Sequence, residues 1–191
     1  MNQMKILDQI RMCTICKHSL PLGPRPVVQA SKQSKILIAG QAPSLSVHNT
    51  GLPFNDASGK RLRSWLNINE AQFYNPDYFA IVPMGFCYPG KGKTGDLPPP
   101  PECAKIWHQK LLAQLNNIEL TIIIGQHAQR YHLEPNKSLT EQVKEWQTLL
   151  PERIVLPHPS PRNQAWLKHH PWFQTDVIPK LQKRVYALIS S

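Results

Sequence analysis

The chain of 191 residues is long enough to bury a sizeable hydrophobic core and suits one domain. Its 22 lysines and arginines against 12 aspartates and glutamates give a formal net charge of +10, which favours a polyanionic partner, most often nucleic acid. The sequence has no run approaching ~20 apolar residues, which excludes a transmembrane helix, and its 19 prolines against 9 glycines indicate rigid loops rather than disorder.

The N-terminal segment 1–13 has the spacing of an amphipathic helix and carries charged residues. It has neither the long apolar run nor the small-residue cleavage site of a signal peptide. The expected location is therefore the reducing cytoplasm. In that compartment the four cysteines are expected to be thiols or metal ligands rather than disulfides.

Four short apolar runs rich in β-branched residues predict buried strands. These runs are KILIAG at 35–40, YFAIVP at 78–83, LTIIIG at 120–125 and RIVLP at 153–157. Helical patterns occur at 58–67, 100–115, 126–133, 138–150 and 171–189. The alternation of strands and helices predicts a parallel sheet with helices on both faces, in a single domain spanning residues 1–191.

Loops rich in glycine, proline and polar residues follow the predicted strands: GQAPS, PMGFCYPG, GQHA and HPSPRN. Ligands of open α/β sheets bind outside the carboxyl ends of the strands, so these loops predict a site at one edge of the sheet. In the last loop His158 lies among Pro157, Pro159 and Pro161, which hold it rigid. A histidine that only caps the following helix is the alternative interpretation.

Three of these segments resemble motifs of the uracil-DNA glycosylase superfamily. GQAPS, then GLPFNDASG, and finally HPSPRN occur in the order and spacing of its two signature motifs and base-stacking segment. The resemblance implies a three-layer α/β/α sandwich around a four-stranded parallel sheet, and a monomer. It also implies a monofunctional DNA N-glycosylase of base excision repair, which flips uracil or a related deaminated base out of DNA and hydrolyses its N-glycosidic bond.

The cysteines resemble those of the iron–sulfur branches of the superfamily, its fourth and fifth families. Cys13 and Cys16 form CTIC, and Cys87 and Cys103 flank a long proline-rich loop. In those branches four such thiolates hold a [4Fe–4S] cluster. Four thiolates suit either iron–sulfur or zinc, but a structural zinc site usually brings two tight CxxC pairs. We therefore expect a structural cluster rather than zinc, and either rather than free thiols.

The resemblance also assigns roles in base binding. Phe54 matches the stacking phenylalanine, and His158 matches the motif histidine that donates a hydrogen bond to uracil O2. The backbone around Gly40, Gln41 and Ala42 matches the complementary side of that site. Donors are needed there because negative charge develops on the leaving base.

A second group of residues is expected to contact DNA. In the family, the segment that corresponds to Ser160, Pro161, Arg162 and Asn163 enters the minor groove. Arg162 is the expected wedge into the gap that the flipped base leaves, and it also suits a phosphate contact. Weaker candidates for backbone contacts are Lys60, Arg61, Arg63, Lys91 and Lys93.

One departure from the family pattern concerns the attacking water. Many members carry Asp, Glu or Asn in the first motif to activate this water, whereas here Gln41 and Ala42 occupy that stretch, and the fifth family also lacks an acid there. Asp56 is the nearest carboxylate, and it is equally suited to orienting water and to capping the following helix. His48 and Asn49 are the second choices for the water.

Another departure concerns base reading. Pro83 stands where the fourth family has an asparagine that reads the edge of uracil. Loss of such an amide relaxes base choice, which predicts broader or altered specificity, including hypoxanthine, or poor activity. The alternative function is a catalytically weak or inactive nucleic-acid-binding protein of the same fold. The segment 85–93 is similar to a phosphate-binding P-loop, but Gly92 replaces its magnesium-binding hydroxyl residue, which argues against a nucleotide hydrolase.

Overall fold

A computed structural model describes residues 4–133 and 136–190 and contains a sheet of four parallel strands. The strands are β1 (Ile36–Ala39), β2 (Phe79–Ile81), β3 (Leu120–Ile124) and β4 (Arg153–Leu156). Their order across the sheet is β2-β1-β3-β4, and Ile38 pairs with Ile81 on one side and with Ile122 on the other. The loops after β1, β2 and β4 therefore leave the same edge of the sheet.

Helices precede, connect and follow the strands. The α-helices are α1 (Lys5–Arg11), α2 (Leu45–Thr50), α3 (Ala57–Leu66), α4 (Glu70–Phe73), α5 (Gln109–Leu112), α6 (Gly125–His132), α7 (Leu139–Lys144), α8 (Trp146–Leu149), α9 (Gln164–His169) and α10 (Ile178–Ile189). The π-helical segments Ala104–His108 and Phe173–Val177 lead into α5 and α10, and a 3-10 turn, Pro161–Asn163, leads into α9. Within the described ranges, the helices are too short or too polar to span a bilayer.

Alternate residues of the central strands face opposite sides of the sheet. Ile36 and Ile38 of β1 belong to a buried cluster that includes residues of α3 and α10. Leu37 instead packs in a cluster with residues of α1 and α5. The sheet is thus the middle layer of a three-layer α/β/α sandwich, which confirms the predicted fold class.

The predicted strands are all present, each one to three residues shorter than its apolar run, because the runs include flanking residues that precede a strand, such as Lys35 and Tyr78, or follow one, such as Gly125. The helix predicted over 138–150 is two helices, α7 and α8, that meet at Glu145. Helices α2, α4 and α9 were not predicted. They contain only 6, 4 and 6 residues, too few to show a clear helical period.

Candidate active site

A cavity of about 410 Å³ opens at the carboxyl edge of the sheet, and we call it the motif cavity. Its walls come from the loops that follow β1, β2 and β4 and from residues 95–97. Eight of the residues predicted for base binding, catalysis and DNA contact line it: Gly40, Gln41, Ala42, Phe54, Asp56, His158, Ser160 and Arg162. The fold therefore brings segments more than 100 residues apart in sequence to one site.

The four remaining residues of that prediction are not among the residues that line the cavity. His48 is buried in α2 with its ring 6.2 Å from the ring of Tyr88, and its Nδ1 has no hydrogen-bond partner among the described residues. Asn49 is exposed, and its carbonyl accepts a hydrogen bond from a guanidinium nitrogen of Arg25. Neither residue lines the motif cavity, so their role as second choices for the water stays a prediction.

Pro161 and Asn163 belong to the 3-10 turn that follows the histidine motif. Pro161 is exposed at the first position of the turn. The side-chain amide of Asn163 donates to the carbonyl oxygen of His158 at 2.7 Å. Asn163 thus fixes the backbone that carries the histidine.

His158 is held in one tautomer by its own loop. Its Nδ1 lies 3.2 Å from the backbone amide of Ser160, which donates to it. Burial lowers the pKa of His158 below its usual value, although the carboxylates of Asp56 and Asp96 act in the opposite direction. A neutral imidazole that accepts at Nδ1 carries its proton on Nε2. The residue therefore offers the cavity a hydrogen-bond donor without a net charge.

The ring of Phe54 forms a wall of the cavity in a constrained backbone position. Phe54 has φ of 54°, a left-handed conformation that is uncommon for a bulky residue. Gly40 and Gly59 make this possible: a Cβ on Gly40 would lie 3.3 Å from the ring, and one on Gly59 would lie 1.6 Å from the Phe54 carbonyl oxygen. The shape of this wall thus depends on two glycines from different segments.

Asp56 is both a helix cap and part of the cavity wall. Its Oδ1 accepts from the backbone amide of Gly59 at 2.9 Å, at the start of α3. Its Oδ2 accepts from the hydroxyl of Ser44 at 2.8 Å. Asp56 therefore caps α3 from the cavity wall, and its role in orienting water stays a prediction.

A hairpin turn between two of the cysteines lies against the motif cavity. Lys91 and Asp96 form an antiparallel bridge, and the turn between them is closed by a hydrogen bond from the Gly92 amide to the Gly95 carbonyl at 2.6 Å. Nη1 of Arg162 donates to the carbonyl oxygen of Thr94 at 2.9 Å. We call residues 91–97 the glycine hairpin. Arg162 thus joins this hairpin to residues 157–163 after β4, which we call the histidine loop.

Helix α3 supports the same loop from another direction. Nη1 of Arg61 donates to the carbonyl oxygen of Ser160 at 3.0 Å. Arg63 is buried; it donates to the Phe54 carbonyl at 3.3 Å and pairs with Glu70 at 2.9 Å. Two of the weaker DNA-contact candidates, Arg61 and Arg63, therefore have structural roles, whereas Lys60, Lys91 and Lys93 are exposed.

Pro83 lines the cavity and is linked to the cysteine region through a buried histidine. The ring nitrogens of His108 lie 3.0 Å from the Cys103 carbonyl oxygen and 3.1 Å from the Pro83 carbonyl oxygen. Phe86 stacks on the same imidazole with the ring planes 12° apart. His108 is not among the residues that the sequence predicts for the site, because it lies inside a helical pattern and belongs to no motif.

The four cysteines share a small cavity of about 20 Å³, which we call the cysteine cavity. Cys13, Cys16, Cys87 and Cys103 line it together with apolar residues that include Leu20 and Phe86. Burial raises the pKa of Cys87 to about 12 and that of Cys103 to about 11. Across residues 4–133 and 136–190, no three or more His, Cys, Asp or Glu side chains are already arranged to hold a metal ion.

Two backbone amides nevertheless point at sulfur atoms in this cavity. The amide of Phe86 donates to Sγ of Cys103 at 3.5 Å, and the amide of Arg25 donates to the sulfur of Cys87. Such bonds favour the thiolate form that a metal or cluster requires. Four sulfur atoms on one cavity with two amide donors are a donor set that fits an iron–sulfur cluster, once the thiols lose their protons and the side chains adjust.

The family assignment agrees with this geometry. Residues 27–182 match the family described as the uracil DNA glycosylase superfamily. This match covers most of the chain and includes every segment that lines the motif cavity. The protein belongs to the uracil DNA glycosylase superfamily. Membership suggests a DNA glycosylase, a hydrolase of DNA repair, with DNA as its substrate.

Proposed function

We propose that the protein is a monofunctional DNA glycosylase that acts as a monomer on DNA and removes uracil or a related deaminated base. The observation that supports this most is that Phe54, Asp56 and His158 line one cavity with the backbone that follows β1. At about 410 Å³ the cavity has room for one extruded base. The formal charge of +10 favours binding to the phosphate backbone.

The proposed reaction is hydrolysis at C1′ of the deoxyribose. A water oxygen bonds to C1′ while the bond from C1′ to the base nitrogen breaks, and the base leaves with the bonding electron pair. Positive charge develops on the sugar and negative charge on the base oxygens. The Nε2 proton of neutral His158 meets one such oxygen, and the amides around Gln41 and Ala42 meet the other side. Asp56 orients the water and takes its proton.

Base selection in this proposal is broad. The wall at Pro83 has no amide hydrogen, and its carbonyl oxygen faces His108 at 3.1 Å. Val27, Ile81 and Leu97 make other parts of the wall apolar. Because the wall lacks the side-chain amide that the fourth family has at the position of Pro83, we expect weaker discrimination, with hypoxanthine or xanthine removed as well as uracil.

We also propose that Cys13, Cys16, Cys87 and Cys103 hold a [4Fe–4S] cluster rather than zinc, as in the iron–sulfur branches of the superfamily. When bound, this group cross-links the segment after α1 to the residues on either side of the glycine hairpin. A brown colour in freshly purified protein supports the cluster, and colourless protein that contains zinc contradicts it.

The experiment that tests the function is incubation with oligonucleotides containing uracil, hypoxanthine or xanthine, followed by hot alkali. Alkali cleaves DNA at abasic sites, so strand scission at the modified base supports a glycosylase. Scission before alkali would contradict the monofunctional assignment. Rapid cutting of uracil alone would contradict broad base selection.

The alternative function is a DNA-binding protein of the same fold with little or no turnover. It is favoured by the absence of an acid in GQAPS and by Pro83. Retention of the protein on uracil-containing DNA without alkali-dependent scission would support it.

A further inference from the structure

An exposed leucine at the mouth of the motif cavity has no assigned role. Leu97 lines the cavity and is 44% exposed. Single exposed leucines are common on protein surfaces, so exposure alone indicates nothing. The position of Leu97 beside the cavity is what makes this side chain informative.

The glycine hairpin presents Leu97 on a rigid support. The Leu97 amide donates to the Gly90 carbonyl at 2.8 Å, and the Leu97 side chain lies across the faces of Gly90 and Gly92. Cβ atoms built on these glycines would lie 3.4 Å and 3.2 Å from its methyl carbons. Larger residues at either position would push the leucine side chain away from its present place.

Contacts on both sides hold this hairpin in position. Gly90 packs against Pro21, and Gly85 packs against Pro99 and Pro100 of the proline run that follows Leu97. At the tip, the hydrogen bond from Arg162 to Thr94 joins the hairpin to the histidine loop. An apolar side chain is therefore held at a fixed distance from the base site.

The position of Leu97 is relevant to the gap that remains in a DNA duplex after a base has left the stack. Proteins that kink or open DNA commonly insert an apolar side chain between base steps to offset the lost stacking. Arg162, the expected wedge, has one guanidinium nitrogen engaged with Thr94. Leu97 is apolar and partly exposed, and the exposed Lys91 and Lys93 on the same hairpin suit the flanking phosphates.

We propose that Leu97 is the side chain that enters the DNA stack and fills the gap left by the extruded base. Arg162 then acts as the tether that positions the hairpin and as a phosphate contact. This inference rests on the proposed function, because it presupposes that a base enters the motif cavity. It assigns insertion to the loop between the third and fourth cysteines, in place of the segment that carries Arg162.

The test compares single-stranded and duplex DNA containing the same uracil, because only a duplex has a stack that must be refilled. Leu97→Ala is expected to lower the single-turnover rate of excision from duplex by roughly tenfold to hundredfold. Its rate on single-stranded DNA should fall clearly less than the duplex rate, because no partner strand is stacked there and only one apolar part of the cavity wall is trimmed. Leu97→Met, which keeps an apolar side chain of similar volume, should restore most of the duplex rate.

Leu22→Ala is the matched control, because Leu22 is 52% exposed and does not line the motif cavity. It should leave both rates unchanged. An equal loss on both substrates by Leu97→Ala, or an unchanged duplex rate, would overturn the proposal. A duplex-specific loss in Arg162→Ala with no loss in Leu97→Ala would assign the wedge to Arg162 instead.

A binding measurement keeps this test separate from the proposed activity. Duplexes that contain a stable abasic-site analogue have a gap in the stack, and their binding requires no excision. Wild type should prefer the gapped duplex over an intact one, and Leu97→Ala should lose that preference while binding the intact duplex normally. If wild type cuts neither single strands nor duplexes, the proposed glycosylase function fails, whereas this binding comparison still decides the role of Leu97.

Discussion

The motif cavity and the cysteine cavity are held together in different ways. The walls of the motif cavity begin at strand ends and helix starts, and hydrogen bonds such as Ser160 to His158 and Gly59 to Asp56 fix its side chains. The cysteine cavity is built mostly from loops, with Cys103 at the start of the helical segment that leads into α5. It buries thiols such as Cys87, whose pKa of about 12 opposes ionisation. The first cavity is organised by the protein alone, whereas the second is suited to completion by a bound group.

The largest effect, on both bound iron and stability, is expected from removing one of the four cysteines. Cys87→Ala should abolish the brown colour, reduce bound iron at least about tenfold and lower the melting temperature by at least about 10 °C, because the loops lose a shared cross-link. Iron and sulfide analysis with thermal unfolding measures this. Thr14→Ala is the control, because it changes CTIC without removing a thiol. Full iron content in Cys87→Ala would contradict the proposed ligand set.

Altering the motif cavity is expected to lower activity while leaving stability nearly unchanged. His158→Ala should lower the single-turnover rate of base excision by about 10² to 10³, because it removes a donor to the charge that develops on the base. Its melting temperature should stay within about 3 °C of wild type, since the hydrogen bonds that build the sheet are untouched. The exposed His169 at the end of α9 provides the control, and His169→Ala should retain the full rate.

Asp56 belongs to both the scaffold and the proposed chemistry, and two substitutions separate these roles. Asp56→Asn keeps a side-chain oxygen for the Gly59 amide, so stability should change little while the excision rate falls about a hundredfold. Asp56→Ala should lose the same rate and also about 1 kcal/mol of stability. Rate assays and chemical denaturation of both variants measure these effects.

The cap of α4 offers a matched control for that pair. The side chain of Asn69 caps α4 by accepting from the amide of Gln72, and it does not line the motif cavity. Asn69→Ala should therefore lower stability by about 1 kcal/mol without lowering the excision rate. Wild-type activity in Asp56→Asn would remove the carboxylate from the mechanism and leave Asp56 as a helix cap.

The parts of the motif cavity differ in how far the sequence could predict them. Strands β1 and β4 have clear apolar runs. Because parallel strands end at one edge of the sheet, the motifs that follow them could place His158 and Phe54 together. The hydrogen bond from Arg162 to Thr94 joins residues 68 positions apart, and no periodic pattern indicates such a contact. The glycine hairpin, with Asp96 and Leu97 at the cavity, therefore emerged only from the fold.

The smallest expected effect is a pH dependence of stability that arises in the motif cavity. The unfolded chain protonates His158 near pH 6.5, whereas burial lowers its pKa in the folded state. Between these two values the unfolded state binds more protons, so stability falls as pH decreases through that window. The contribution of one histidine is at most about 1.4 kcal/mol per pH unit.

His158→Gln isolates this contribution, because glutamine does not titrate and the other histidines with lowered pKa values, His108, His127 and His132, are present in both proteins. The free energies of unfolding of wild type and variant should run parallel above pH 6.5. Below it, wild type should lose stability more steeply, since only wild type pays the cost of keeping His158 neutral when folded. Parallel curves down to pH 5 would mean that the folded imidazole protonates as readily as the unfolded one. The donor in the motif cavity would then be a charged imidazolium, whose Nδ1 proton could not coexist with the hydrogen bond from Ser160.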